Sequence, residues 1–240
     1  MTLDKRARLF LVLCGVFVTC LVVGDIIGGK LVQLGVGRAS VVISVGMIPF
    51  PITFLLTDIL NEFYGKRAAR FVTIVGFFMA VLASLTIFVA QKLPWAPLTR
   101  EAGYVGMVQP SFDNVFGGSQ RILVASMCAY LVSQFLDIAV FHALKRLTGT
   151  RFLWLRATGS TVVSQLVDTI VIQFVAWSGV LSFERIVSLA VTSYVVKLVV
   201  AIGLTPLIYA GHVLVERALG IEPMKIEDEP DGALLPATTD

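Results

Sequence analysis

Two copies of a Ser-Gln-x-x-Asp pattern lie within apolar stretches of this chain. They are SQFLD, at residues 133–137, and SQLVD, at residues 164–168. Residues three or four apart are neighbours on a helix surface, so the serine, glutamine and aspartate of each copy project from one face. Hydroxyl, carboxamide and carboxylate groups together offer hydrogen-bond donors and acceptors to a polar ligand. The candidate binding residues in these copies are Gln134, Asp137, Gln165 and Asp168.

Four ionisable residues from different apolar stretches are expected at similar depth in a membrane. At about 1.5 Å per helical residue, Asp58 lies about 12 Å from Lys66 and Asp137 about 12 Å from Lys145. Asp168 lies about 18 Å from Arg156 by the same arithmetic. Lys197 shares a helix face with Tyr194. In a hydrocarbon core roughly 30 Å thick, it lies about 12 Å from the side of the membrane that those basic residues mark. One interhelical salt bridge to Lys197 would hold the bundle together, but it leaves two carboxylates that need a proton, water or a ligand.

Two prolines interrupt the segment PFPITFLLTDILNEF, residues 49–63. Proline cannot donate to a helix ladder, so we expect a half-helix to begin near Ile52, with its positive dipole end directed into the bundle. Thr57 and Asp58 would then face the same cavity as the other polar residues. Glu62 is expected to be a solvated carboxylate at the interface, paired with Lys66. The aromatic rings available to stack on a planar ligand are those of Phe50, Phe54, Phe135 and Trp177.

The elements that must position these residues are membrane-spanning helices. The chain has 240 residues, of which 57% are hydrophobic and 15% charged, whereas soluble domains average roughly 25% charged residues. A bilayer crossing takes about 20 apolar residues. The sequence therefore predicts an all-α integral membrane protein, a bundle of six transmembrane helices over residues 1–221. The predicted spans are Leu9–Ile27, Val41–Leu60, Phe71–Leu93, Arg121–Leu144, Thr161–Leu181 and Ile186–Leu207.

Basic residues indicate the orientation, because lysine and arginine are retained on the cytoplasmic side. They concentrate before the first span, after the second and between the fourth and fifth, so both termini are expected to be cytoplasmic. Residues 222–240 are acidic and contain proline, which predicts a disordered cytoplasmic tail. The net charge of +3 is explained by this topology and gives no basis for nucleic-acid binding. The cysteines form no CxxC pair, so no metal site or cofactor is expected.

Residues 50–66 read FPITFLLTDILNEFYGK. This segment resembles the signature of the queuosine precursor transporter family, also described as a vitamin uptake transporter family. The resemblance implies a six-helix importer of 7-deazaguanines in the bacterial inner membrane, with a fold similar to the substrate-binding subunits of energy-coupling-factor importers. Its implied substrates are 7-cyano-7-deazaguanine and 7-aminomethyl-7-deazaguanine, precursors salvaged for tRNA modification. Asp25 departs from the asparagine expected in many relatives. The other residues that carry the resemblance are Gly29, Lys30, Gln134, Asp137, Arg156, Ser160, Asp168, Tyr194, Lys197, Pro206 and Tyr209.

Other functions remain open at this point. The substrate could be a vitamin or another small heterocycle, and the chain could be the binding subunit of an ATP-driven importer, whose ATPase would be a separate chain because no Walker motif occurs here. An intramembrane enzyme would need an Asp137 and Asp168 dyad that shares a proton, but no HExxH or Gly-x-Ser-x-Gly motif accompanies it. We therefore predict a non-enzymatic transporter. The driving force and the oligomeric state, monomer or homodimer, are not readable from the sequence.

Overall fold

The computed structural model describes residues 4–28, 30–34, 41–116, 120–149, 151–179, 181–218 and 220–224. In these residues the architecture is helical, with one short antiparallel β-hairpin that pairs β1, Leu31–Leu34, with β2, Val41–Ser44. Two 3-10 turns, Val45–Met47 and Pro97–Arg100, and a π-helical turn, Leu214–Ala218, complete the elements. The seven α-helices are α1 Lys5–Ile27, α2 Phe50–Phe63, α3 Gly65–Lys92, α4 Gln109–Phe116, α5 Gln120–Thr148, α6 Leu153–Trp177 and α7 Phe183–Val213.

Five of these helices, α1, α3, α5, α6 and α7, are long and apolar enough to cross a membrane. Large apolar side chains such as Phe78, Leu82 and Val199 are more than half exposed on them, as expected where a helix faces lipid. Five of the predicted spans are therefore confirmed as long apolar helices. The observed helices are longer than the predicted spans, and α6 begins eight residues before the expected Thr161.

The second predicted span, Val41–Leu60, is not one continuous helix, as expected from the break at Pro49 and Pro51. The segment contains β2, the 3-10 turn and then α2, which starts at Phe50 with Pro49 as its N-cap and Pro51 in its first turn. Proline is tolerated there because the first N–H groups of a helix have no intrahelical partner. With 14 residues, α2 is about 21 Å long and shorter than the hydrocarbon core. The half-helix expected near Ile52 is confirmed, whereas six full crossings stay a prediction.

A short connection, residues 149–152, joins α5 to α6. Gly149 takes a positive φ of 60° and donates its N–H to the Lys145 carbonyl at 2.9 Å, which ends α5. Phe152 also has a positive φ, 56°, and lies at the N-cap of α6. Such short connections make consecutive helices antiparallel neighbours. The hairpin therefore packs the face of α5 that carries the first Ser-Gln-x-x-Asp copy against the face of α6 that carries the second.

The main apolar core lies between α1, α2 and α3. Its buried members include Phe17, Leu60, Phe63 and Val72. Close approach of the helices depends on Gly76 in α3, where a Cβ would lie 2.9 Å from the Tyr130 hydroxyl and 3.1 Å from side chains of α1. Small residues at helix contacts permit this approach in membranes. The core fixes α2 in the bundle with its polar face directed away from α1 and α3.

Candidate functional site

The two Ser-Gln-x-x-Asp copies bind each other reciprocally across the α5–α6 hairpin. Ser164 Oγ donates to Asp137 Oδ1 at 3.0 Å, and Ser133 Oγ donates to Asp168 Oδ1 at 3.2 Å. The serine of each copy therefore donates a hydrogen bond to the aspartate of the other copy. Ser160, one turn before Ser164, is also within hydrogen-bonding reach of Asp137. The structure therefore brings the two copies into contact across α5 and α6, while a common depth of their aspartates with Asp58 and Lys197 stays a prediction.

Helix α7 adds the cation. Lys197 Nζ lies 2.6 Å from Asp168 Oδ2, and the two side chains are 13% and 16% exposed. Tyr194, one turn earlier, donates its hydroxyl to the Val162 carbonyl of α6 at 3.0 Å. Asp168 thus binds both Ser133 and Lys197, which makes it the junction between α5, α6 and α7. One of the interhelical salt bridges that the sequence allowed is present.

The polar face of α2 completes this layer. Phe50, Phe54, Thr57, Asp58 and Asn61 recur at helical spacing on one side of α2. The Phe50 and Phe54 rings meet edge to face at 4.3 Å, and the Lys197 ammonium lies 5.4 Å from the Phe50 centroid. Thr57 bonds the Thr53 carbonyl of its own helix at 2.8 Å. These contacts bring α2 and α7 to the same region.

The Asp58 carboxylate has only like charges as electrostatic neighbours in the part of the chain that the structure describes. Asp58 is buried and interacts electrostatically with Asp137 and Glu62. No hydrogen bond or ion pair to its side chain occurs among those residues. A buried carboxylate without a cation is costly, so Asp58 and Asp137 together form the acidic centre of this layer.

Several buried side-chain atoms in the same helices have no hydrogen-bond partner in the part of the chain that the structure describes. They include Oε1 of Gln134, Oε1 of Gln165 and both carboxamide atoms of Asn61. Buried polar atoms are usually paired, and each exception calls for an explanation. The two glutamines were predicted as site residues, whereas Asn61, and Thr169 with its unpaired Oγ1, were not. Their signal was present, because Asn61 lies three residues after Asp58 and Thr169 four after Gln165.

The surroundings of Glu62 differ from those predicted from the sequence. The residue is 3% exposed and therefore not a solvated carboxylate. Arg156 Nη2 lies 2.9 Å from its Oε1 and Lys145 Nζ 3.2 Å from its Oε2, so the expected partner Lys66 is replaced by two cations from α5 and α6. The guanidinium also donates to the carbonyls of Gly149 and Arg151. This cluster closes the bundle at the end where α5 and α6 connect.

Asp25 lies apart from the polar layer. It borders a small cavity of about 20 Å³ between α1, α3 and α5, and accepts a hydrogen bond from Ser126 at 3.4 Å. That volume holds about one water molecule. The structure therefore does not bring Asp25 together with Asp58, Asp137 and Asp168.

Five long apolar helices that enclose a layer of carboxylates, carboxamides and one ammonium define a multi-pass membrane protein with a polar interior. A family profile described as "Putative vitamin uptake transporter" matches residues 44–211. The chain is 31% identical over 173 residues to "Probable queuosine precursor transporter" of Bacillus subtilis, which covers 72% of each chain. It is 30% identical over 175 residues to "Queuosine precursor transporter" of Escherichia coli, covering 72% of this chain and 73% of the relative. No solved structure matches the chain.

The chain belongs to the vitamin uptake transporter family. It is also similar to the two queuosine precursor transporters over 72% of its own length. It is accordingly a multi-pass transporter of a bacterial membrane. The recognition of this family from residues 50–66 is confirmed.

Proposed function

We propose that this protein imports 7-deazaguanine precursors of queuosine across the bacterial inner membrane. The observation that carries the proposal is the layer of buried carboxylates and unpaired carboxamide oxygens, in a chain 31% identical to a relative named for this transport. The proposed ligand residues are Phe54, Thr57, Asp58, Gln134, Asp137, Gln165, Asp168, Tyr194 and Lys197.

The ligand chemistry supports this assignment. A guanine-like ring presents adjacent N–H donors, which one carboxylate accepts as a pair, and a carbonyl oxygen that a carboxamide N–H satisfies. Asp58 and Asp137 supply carboxylates without a cation, and Gln134 and Gln165 supply carboxamides. The unpaired glutamine oxygens fit the remaining ring or exocyclic N–H groups.

The charge of the layer favours neutral or cationic ligands. Asp168 is neutralised by Lys197, which leaves Asp58 and Asp137 to interact with an incoming ligand. The aminomethyl precursor carries an ammonium group that either carboxylate would attract, whereas the cyano precursor is neutral and would rely on the ring contacts. Stacking on the Phe54 ring would add roughly 1–3 kcal/mol.

The layer is closed toward the end that carries Glu62. A transporter exposes its site to one side at a time, and discontinuous helices often form such sites. In our proposal α2 is the discontinuous element, and the cluster of Glu62, Arg156 and Lys145 closes the cytoplasmic side.

A strain that cannot synthesise the precursor provides the test. With limiting external 7-cyano-7-deazaguanine, expression of this protein should restore queuosine to tRNA, measured by mass spectrometry of digested tRNA. Asp137→Asn should lower that restoration by at least about 10-fold, as expected for one lost charged hydrogen bond. Asp113→Asn, at a half-buried position in α4 outside the polar layer, should match the parent. Equal queuosine with and without the gene would contradict the proposal.

A transporter for a vitamin or another heterocycle, or a binding subunit of an ATP-driven importer, is the alternative that the family description allows. Uptake by the purified protein alone in liposomes separates a self-contained carrier from a subunit. Activity that appears only with a copurified ATPase would favour the second candidate.

A further inference from the structure

Asn61 is the most completely buried polar residue on the inner face of α2. Its side chain is 0% exposed, and among the described residues neither its carboxamide oxygen nor its carboxamide nitrogen has a hydrogen-bond partner. A buried amide without partners is rare in folded proteins. The carboxamide of Asn61 therefore has both a donor and an acceptor available for a ligand.

Asn61 lies on the same face of α2 as the polar side chains of the proposed site. It follows Asp58 by three residues and Thr57 by four, so the three side chains are neighbours on the helix surface. Phe50 and Phe54 extend the same face toward the N-terminus of α2, where the Phe50 ring meets Lys197 of α7. The carboxamide thus continues the row of side chains that begins at this ion-paired lysine.

The neighbours of Asn61 supply acceptors but few donors. Asp58 interacts electrostatically with Asp137 and with Glu62, and Glu62 is already bound by Arg156 and Lys145. Carboxylates accept hydrogen bonds only, whereas a carboxamide supplies N–H donors as well. A ligand whose ring N–H binds a carboxylate on this face would place its neighbouring carbonyl oxygen beside Asn61. The carboxamide nitrogen of Asn61 can donate a hydrogen bond to that carbonyl oxygen.

We propose that Asn61 is a selectivity residue of the substrate site, which recognises a ring lactam by donating its carboxamide N–H to the ring carbonyl while Asp58 accepts the adjacent ring N–H. The inference rests on the proposed function and names a chemical class within it, oxo-heterocycles. A ring with an amino group in place of the carbonyl places its own N–H donor opposite the N–H donor of Asn61, so we expect the site to reject it. Sites built to pair a polar group discriminate strongly against analogues that lack it.

Binding to the purified full-length protein tests this assignment with two probes. The first is 7-cyano-7-deazaguanine, and the second is the same ring with an amino group replacing the carbonyl. Asn61→Asp removes the donor, and Asn61→Leu keeps the approximate shape without polar atoms. Asn114→Asp, on the exposed part of α4, is the matched control.

The parent and the Asn114→Asp control should prefer the oxo probe. Both Asn61 variants should bind that probe at least about 10-fold more weakly, and Asn61→Asp should shift the ratio of the two affinities toward the amino probe. Asn61→Leu preserves the test if the added charge of Asn61→Asp prevents folding. Unchanged affinity and ratio in Asn61→Leu would overturn the inference alone, whereas a parent that fails to bind the oxo probe would overturn the proposed function with it.

Discussion

Asp168 has a different role from the other two aspartates of the polar layer. It binds Ser133 and Lys197 at once, whereas Asp137 is held by serine hydroxyls and Asp58 has no cation beside it among the described residues. Because an ion pair between helices can simply hold a membrane bundle together, the proposed role of Asp168 in transport must be separated from its role in folding.

A paired substitution makes that separation. Asp168→Asn leaves the Lys197 ammonium without its partner at a site about one-eighth exposed, and we expect this to destabilise the protein by about 1–3 kcal/mol. Adding Lys197→Met removes the unpaired charge and should restore thermal stability in detergent. Precursor uptake should remain low in both variants. Uptake that recovers together with stability would instead assign the pair to packing.

The Glu62 cluster gives a sharper stability prediction, because its three charged side chains are almost completely buried. Glu62→Gln leaves Arg156 and Lys145 without a countercharge, and breaking a buried pair in this way costs about 3–5 kcal/mol. Thermal unfolding in detergent should show the loss. Glu216→Gln removes an exposed partner of His212 and should change stability by less than about 0.5 kcal/mol. Similar effects of the two substitutions would contradict the cluster's role.

Helical periodicity was sufficient to predict which residues share a face, but not which faces meet. The spacing of Ser133, Gln134 and Asp137 predicted a common stripe, and the structure confirms it. The cross-bonding of Ser133 to Asp168 depends on the register of α5 against α6, which the connection at residues 149–152 sets. Glu62 was misassigned because Lys66 is local, whereas its actual partner Arg156 is 94 residues away in the chain. Long-range pairs of this kind leave no periodic signal.

The packing of α3 depends on the absence of a side chain at Gly76. Gly76→Leu would place atoms within 2.9–3.1 Å of Tyr130, Leu21 and Phe17, and overpacking of this kind costs about 1–3 kcal/mol. A Cβ added at Gly15 in α1 meets nothing within 4 Å, so Gly15→Ala should gain about 0.5–1 kcal/mol from helix propensity. Melting temperatures should therefore move in opposite directions. A gain in both variants would show that α1, α3 and α5 tolerate wider separation.

The two ends of the described chain lie on the same side of the molecule. Arg6 donates to the Phe63 carbonyl at 2.7 Å and to the Glu222 carbonyl at 3.4 Å. Tyr64 donates its hydroxyl to the Arg6 carbonyl at 2.8 Å, and burial raises the pKa of that hydroxyl, so it stays a neutral donor. The start of α1, the end of α2 and residues 220–224 therefore meet at one end of the bundle.

The distribution of basic residues predicts that this end is cytoplasmic. Green fluorescent protein fused to either terminus should fluoresce, and alkaline phosphatase at either terminus should be inactive. A phosphatase fusion in the connection between α3 and α5, residues 93–108, should be active because it lies on the opposite side. Active phosphatase at one terminus would contradict the shared location of the two ends.

Residues 221–224 close the same end of the bundle, although the sequence placed most of them in a disordered tail. Ile221 and Met224 are buried, and the Met224 N–H donates to the Glu62 carbonyl at 3.0 Å. The rest of the predicted tail, 225–240, lies outside the described residues. A chain ending at Met224 should melt like the parent, whereas one ending at Gly220 should lose about 2–4 kcal/mol, because two apolar side chains are no longer buried. Equal melting of the two truncations would show that this segment contributes nothing to closure, and that Glu62, Arg156 and Lys145 hold this end of the bundle without it.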